Sequence, residues 1–563
     1  MNKNEARDSL WISLLLIVIV GMVIGTLGGI AANGFVIGAK FFFELIPVSG
    51  EARDPLSFGI HWAVLVGAAL LILGLKRWAK LPRWHGPADT ILSAQLSTEP
   101  FQTKTGFLST TAAFISASAG ASVGQYGPVL HFGASVASGV RKLIPTRISS
   151  EVYLAAGVAA AISAGFNAPI AGVIFASEAV LRHFSVRALA PLAVASITAA
   201  AVTNLLFNRG SPYEIMPVDF LMHETIPLLL IVALASAGTA IVFMSSLLKV
   251  VAWSGRQGNE LAIILLSATL MAVIGTLVPE VFGLGSDTIN LFFANAFLLD
   301  YLMIILIAKL CASVLCLGMG LFGGVFSPAI FLGACLGSIV GVIATYLGYD
   351  PSIVPLMTVV GMACVASSVV GAPIAIVLIV FELTQSYQYA VAAIFSVAIC
   401  SLISTRLYGY SYFDRQLLLR GFNLKLGREY LILDQLKVDG LDIRPVESFS
   451  ADALCSEIVT SLRDLGNTEA YVTDHEHKFV GVVSLTNALR YPNEQATAAF
   501  IEAPSILELQ FSLRDAMEVA RSFIGEAIPV LDERGVLCGC LSEGDILGGV
   551  LSVQEEVKSY ERN

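Results

Sequence analysis

Two stretches of this chain could bind an ion without any charged side chain. Gly124-Gln-Tyr-Gly-Pro128 recurs 200 positions later as Gly324-Val-Phe-Ser-Pro328. Glycine lets the backbone come close to a ligand, and proline starts a helix at the next step. The first N–H groups of such a helix have no intrahelical acceptor and carry partial positive charge, so they form an anion site made of backbone. A second echo follows, in which Ala168-Pro-Ile-Ala171 leading to Glu178 returns as Ala372-Pro-Ile-Ala375 leading to Glu382. Gly and Pro interruptions at matching points of two apolar halves mark the ion or substrate site of membrane transporters. The chemistry implied is desolvation and passage of an anion.

The elements that position these turns must lie in lipid. The chain has 563 residues, of which 56% are hydrophobic and 13% charged, with a mean hydropathy of +0.78. That apolar share exceeds what a soluble enzyme carries. Leu10 to Ile30, Trp62 to Leu75, Ile226 to Val250, Leu261 to Val278 and Tyr301 to Leu317 are long enough to span or nearly span the hydrocarbon core. Segments near 128–140, 154–164 and 169–180 are shorter, and irregular helix ends at membrane depth are tolerated only inside protein or beside a watery path. Residues 1 to 9 are polar and no small-residue cleavage site follows, so the first apolar run is read as an uncleaved helix. Lys3, Arg7, Lys76, Arg77, Lys80, Arg83, Arg406, Arg415, Arg420, Lys425 and Arg428 flank apolar segments and place both termini in the cytoplasm by the positive-inside tendency.

Several functions are excluded on composition. The net charge of −10 includes no polybasic patch, which argues against nucleic acid. The eight cysteines lack metal spacing and read as small buried hydrophobes in a reducing compartment, and the seven histidines form no HExxH-like array. No nucleophile–base pair lies in the apolar region, so no enzyme is expected. Lys309 is a rare cation within an apolar run; it is expected to pair with a carboxylate or snorkel to an interface, and otherwise to attract anions toward the path.

After residue 421 the composition changes. Glu469-Ala-Tyr-Val-Thr-Asp474 leads to Phe479 through Ser484 and Asn487, and Glu526-Ala-Ile-Pro-Val-Leu-Asp532 leads to Val536 through Ser542 and Asp545. Each copy is a pair of short β-branched runs joined by a charged turn and preceded by a helical stretch, Asp452 to Leu465 or Ser512 to Phe523. This tail resembles a tandem pair of CBS modules. The fold class expected is an all-α polytopic membrane protein with an internal repeat over residues 1–430, its halves at about 10–210 and 220–425, plus a cytoplasmic α+β CBS pair at 437–556.

The ordered set Gly124-x-x-Gly-Pro128, Phe166-Asn-Ala-Pro-Ile-Ala-Gly172 with Glu178, Gly324-Val-Phe-Ser-Pro328, Gly371-Ala-Pro-Ile374 and Phe381-Glu-Leu-Thr384 resembles the CLC family of chloride channels and proton-coupled chloride transporters. The resemblance implies two inverted halves, a homodimer and one anion pathway per subunit. It assigns the pathway to Gly124, Gln125, Tyr126, Gly127, Val325 and Phe326. It further implies that His85, in Trp84-His85-Gly86-Pro87-Ala88, takes the place of a side-chain anion donor, with a purely structural histidine as the alternative. Phe413 takes the place of a central tyrosine, and a one-residue slip would put Tyr412 there instead. Two family features are missing. The gating and proton-carrying glutamate is Tyr126, a phenol neutral at pH 7, and the internal proton acceptor is Ala179. Glu178 matches a structural carboxylate. The CBS likeness implies either a pair of modules that only stabilises the dimer or one that also binds an adenine nucleotide at Ser542 and Asp545, with Asn487 replacing the carboxylate in the first copy. The function expected is passive chloride conduction in a prokaryotic plasma (inner) membrane, with bound chloride and no required cofactor. The alternative is a proton-coupled antiporter with an unusual proton path; a CBS-bearing divalent-cation transporter would need carboxylates along its path.

Overall fold

A computed structural model describes residues 3–47, 55–96, 100–144, 146, 148–215, 218, 220–501 and 504–562, and the side chains of Lys3 and Arg7 lie outside the described residues. The chain divides into two compact units, Met1–Gly421 and Phe422–Asn563.

Among the described residues the first unit has nine helices long and apolar enough to cross a membrane. The elements of its two halves correspond in order. Helices Tyr126–Leu143, Ser150–Phe166, Pro169–Phe175 and Val186–Phe207 of the first half match Phe326–Tyr346, Ile353–Val370, Pro373–Thr384 and Tyr387–Leu407 of the second. The expected short segment at 128–140 lies inside a longer helix, which its polar end residues Arg141 and Lys142 extend.

Glycines set how closely the helices cross. A Cβ on Gly133 would lie 2.3 Å from the Gly157 carbonyl oxygen, and one on Gly157 would lie 2.2 Å from that of Gly133. The second half repeats this contact between Gly333 and Gly361, at 2.3 Å in both directions. Without a hydrophobic drive between helices in lipid, this small-residue contact is what holds a membrane bundle together. The helices so joined, Ser150–Phe166 and Ile353–Val370, are buried along nearly their whole length.

The repeated Ala-Pro-Ile-Ala has a local cause. Each central helix ends in a left-handed residue, Asn167 at φ 53° or Gly371 at φ 82°, and the proline that follows occupies the first turn of the next helix. The start of each of these helices is capped by a glutamate from the other half. Glu178 accepts from Ile374 N and Ala375 N at 3.1 and 2.8 Å, and Glu382 accepts from Ile170 N and Ala171 N at 3.0 and 2.7 Å. Glu178 is therefore an anchoring acid, as its place in the motif implied.

Lys309 corrects the sequence reading. It is 1% exposed and neither snorkels nor meets a carboxylate among the described residues. It donates to the Val281 carbonyl at 3.1 Å and sits 4.6 Å from the Phe331 ring centroid. The side chain is too deep to reach an interface, and carbonyl oxygens exposed by the 310 turn Pro279–Val281 and its exit take the place of a counter-ion.

The second unit is α+β and doubly repeated. In one three-stranded sheet Ser448–Ser450 runs parallel to Glu469–Thr473, which pairs antiparallel with Phe479–Ser484; in the other, Leu507–Glu508, Ile528–Leu531 and Leu537–Leu541 repeat that order. Helices Cys455–Leu465 and Leu513–Ala520 precede the antiparallel pairs.

Gly133→Ala should lower the stability of the purified protein by about 1–3 kcal/mol, the usual cost of overpacking, because the backbone contact at Gly157 cannot yield. Gly139→Ala, where a Cβ meets nothing within 4 Å, should leave the thermal midpoint unmoved or raise it slightly in the same assay, since alanine is the better helix former.

Candidate anion pathway

The two glycine turns meet each other. Gly124 N donates to Gly324 O and Gly324 N donates to Gly124 O, both at 2.8 Å, forming an isolated antiparallel bridge. Only glycine permits this approach, since a Cβ on Gly124 would lie 2.6 Å from Gly324 O and one on Gly324 would lie 2.8 Å from Pro128 Cδ. The bridge brings together the N-termini of helices Tyr126–Leu143 and Phe326–Tyr346 from opposite halves. Gln125 N is taken up by Ser327 Oγ at 3.1 Å, and Pro128 and Pro328 carry no N–H. The amides of Tyr126, Gly127, Val325 and Phe326 are helix-start donors at this junction, two from each half.

Tyr126 fills one side of the junction. It is 2% exposed, its ring stacks on Phe166 with centroids 3.9 Å apart and 16° between planes, and it tilts against Phe326 at 5.5 Å. Gly165 makes room for it, as a Cβ there would lie 3.1 Å from Tyr126 Cε1. The hydroxyl is buried, with the Tyr213 hydroxyl and the Gln125 side chain as its hydrogen-bonding neighbours and the Arg209 guanidinium farther out.

On the other side lies the loop before helix Pro87–Gln95. A Cβ on Gly127 would be 3.5 Å from Pro87 Cγ, and Trp84 lies 5.9 Å from Phe322, which precedes the second glycine turn. The structure thus brings the His85 segment against the junction. His85 is half-buried, its N–H donates to Ser109 Oγ at 2.9 Å, and its ring is 6.4 Å from that of His131. Asp89 fixes the loop. It accepts from Gly86 N at 2.9 Å, from Arg83 Nη1 and Nη2 at 3.0 and 2.6 Å, and from Arg420 Nη1 at 3.0 Å. Helix Pro55–Trp78, ~36 Å long at 1.5 Å per residue, ends just before this loop, and near its other end His61 stacks at 4.6 Å on Phe282, which lines the same cavity as Arg209.

Ala179 sits in a π-helical turn, Ala176–Leu181, and is buried. The carbonyls of Val180 and Leu181 both accept from Gln95 Nε2, at 2.8 and 2.9 Å, so the turn is held by an amide from helix Pro87–Gln95. Tyr412 and Phe413 open helix Tyr412–Leu418 and are both 5% exposed. The Tyr412 hydroxyl accepts from Gln416 Nε2 at 3.0 Å, so it is engaged within its own helix.

Comparison with known proteins decides the family. A profile of the voltage gated chloride channel family matches residues 67–405. This chain belongs to the CLC family. A putative ClcB-like chloride channel protein of Ralstonia nicotianae is 29% identical over 354 residues, covering 61% of this chain and 78% of that protein. The voltage-gated ClC-type chloride channel ClcB of Escherichia coli O81 is 24% identical over 404 residues, 69% of this chain and 96% of that one. Among solved structures, a slow cyanobacterial Cl−/H+ antiporter has a TM-score of 0.65 at 19% identity, covering 72% of this chain and 98% of its own. A eukaryotic CLC transporter has a TM-score of 0.61 at 18% identity, covering 94% and 98%. The chain is a CLC channel or antiporter.

Within this CLC fold the tail candidates form a hydrogen-bonded set of their own. Ser542 Oγ and Asp545 Oδ2 are 2.7 Å apart, and Arg444 Nη2 lies 2.6 Å from Asp545 Oδ1. In the first copy Ser484 Oγ accepts from Asn487 N at 3.1 Å, and Asn487 Nδ2 donates to Ala499 O at 3.4 Å. Sequence reasoning missed His131, whose Nδ1 meets Thr90 Oγ1 at 2.7 Å while Nε2 is buried without a partner, and it missed the Arg83–Asp89–Arg420 cluster. The local signal was Arg83 six residues ahead of Asp89 across the Trp84–Pro87 turn; Arg420 gives none.

Burial holds the His85 imidazole below its ordinary range; Asp89 pulls it up, while Arg83 and Arg420 push it further down. The ring is therefore neutral at pH 7 and gains its charge only on the acid side of ~6.5. If His85 serves the pathway, chloride flux in liposomes is constant from about pH 8 to 6.5 and changes below that, and His85→Ser is flat throughout. Identical pH responses of both proteins would make the histidine structural.

Proposed function

We propose that this CLC protein is a passive chloride channel in which Tyr126 replaces the gating glutamate. The observation that carries the reading is the buried, aromatic-stacked Tyr126 at the bridged helix starts. A carboxylate at such a turn competes with chloride for the amides and takes up a proton when it leaves. A phenol of pKa ~10 stays neutral and does neither. Ala179 removes the second proton station, and the one ionisable residue within its π-helical turn Ala176–Leu181, Glu178, is committed to Ile374 N and Ala375 N. The chloride sits among the amides of Gly127, Tyr126, Val325 and Phe326, with His85 at the opposite mouth and Phe413 beyond it. Uncharged donors hold the ion without trapping it, which conduction requires.

The working unit is a homodimer in a bacterial plasma (inner) membrane, with both termini and the CBS-like tail in the cytoplasm. Support for the dimer comes from repeat-related exposed residues on the two Ala-Pro helices, Ile170 at 54% and Ile374 at 55%. The tail either stabilises the dimer or takes an adenine nucleotide at Ser542, Asp545 and Asn487, where Arg444 pairs with Asp545. The second reading, proton-coupled antiport, draws on the pair His85 and His131, which stand 6.4 Å apart on the Arg420 side.

In liposomes an imposed chloride gradient should dissipate without driving protons uphill; protons moved in fixed proportion to chloride would overturn the passive reading. Tyr126→Ala should raise chloride flux, each ~1.4 kcal/mol taken off the barrier being tenfold. Unchanged or lower flux from folded, dimeric protein would show that the ring does not close the path.

A further inference from the structure

Lys309 is a buried charge that neither the glycine turns nor the gate explains. An ionisable side chain at membrane depth is costly and is kept for a function. Its ammonium has three N–H groups to place. Two carbonyls face it, Val281 O at 3.1 Å and Gly283 O at 3.5 Å, and the Phe331 ring stands 4.6 Å away to take the remaining charge on its π face. Gly285, at φ 78°, leaves the space this needs, since a Cβ there would lie 2.6 Å from Phe331 Cδ2 and 3.5 Å from Lys309 Nζ. Lys309 therefore clamps the turn 281–285 from helix Leu299–Gly318.

The turn passes this hold on. Gly283, whose carbonyl faces Lys309, gives its own N–H to Gly120 O at 2.9 Å. Gly120 stands four residues ahead of Gly124, in the loop that delivers the first glycine turn. A second tie lies one helical turn farther along. Ser313, at i+4 from Lys309 and so on the same face, meets Ser122 of that loop with 3.0 Å between hydroxyls, and both serines are fully buried. Helix Leu299–Gly318 itself runs on through residues 319–323 into the second glycine turn. The two approach loops press together where a Cβ on Gly323 would lie 2.4 Å from Val123 Cβ. One helix thus leads directly into the second turn and holds the approach to the first through two side chains.

We infer that Lys309, assisted by Ser313, is a positioning residue for the anion site. It fixes residues 120–123 against helix Leu299–Gly318 and so sets the spacing between the amides of the two glycine turns. Lys309 acts through Gly283 and Gly120, without a contact of its own to those amides. Donors held in place beforehand lose little freedom when an ion arrives, so affinity depends on how firmly the two turns are held. A charged donor serves two carbonyls and a ring at once, which a neutral side chain of the same length does not. The inference rests on the reading of the amides as an anion site and does not depend on whether protons are coupled.

The test measures chloride binding to the purified full chain in detergent by calorimetry, which reads affinity and stoichiometry separately. Lys309→Met, similar in length but without a donor, should weaken chloride affinity roughly 3- to 10-fold, and Ser313→Ala roughly 2- to 4-fold. Lys309→Gln, a neutral donor, should recover part of the loss. Affinity unmoved in both Lys309→Met and Ser313→Ala, with only the number of binding sites reduced, would overturn the inference, because that is the mark of a residue that merely stabilises the fold. Lys309→Gln losing as much as Lys309→Met, while Ser313→Ala loses nothing, would also overturn it, since that is a charge acting at a distance. If Lys309→Met does not elute as a folded protein, the affinity of Ser313→Ala decides in the same two directions. Wild-type protein that binds no chloride would overturn the anion reading itself, which separates that failure from this one.

Discussion

The structure depends on two glycines exchanging hydrogen bonds. At Gly124 and Gly324 the two halves of the membrane unit touch backbone to backbone, with N–H to O distances of 2.8 Å each way. A single Cβ at either position would push the halves apart. The contact sets two helix N-termini against one point, and a chloride ion leaving water needs donors there that carry no mobile counter-charge. The reciprocal caps by Glu178 and Glu382, and the glycine crossings at 133/157 and 333/361, hold the same two-fold relation farther out. They position the helices; the bridge positions the amides.

Charge is kept off this junction and placed around it. Its side chains are Tyr126, Phe166, Phe326 and Phe175, which pack as one aromatic cluster. The cations lie at the two ends, with Arg83 and Arg420 tied to Asp89 on one side and Arg209 on the other. Burying a charge beside the anion would cost desolvation and bind the ion too tightly to release. The neutral Tyr126 phenol at the helix starts keeps to the same constraint.

The repeats made much of this legible in the sequence. The Gly-x-x-Gly-Pro and Gly-Val-Phe-Ser-Pro turns, the Ala-Pro-Ile-Ala starts and the paired strands of the tail are local patterns, set by which residues accept left-handed backbone, close approach or the first turn of a helix. What escaped is held by partners far apart in the chain. Glu178 and Ala375, Arg420 and Asp89, and Arg209 and Asn33 meet through the fold, and no spacing announces them. Lys309 was misread for the same reason, because its carbonyl partners come from the turn near Val281 and not from its own helix. His85 was found by likeness to a motif, while His131, one ring away, lies in an ordinary helical stretch and carried no signal.

The most direct measurement is anomalous diffraction from crystals of the full chain grown in bromide. The account predicts a peak at the junction, within contact distance of the Gly127 and Phe326 amides, that persists in Tyr126→Ala. Bromide found only at arginine and lysine side chains, with none between the two helix starts, would contradict an amide-lined site built by the Gly124–Gly324 bridge.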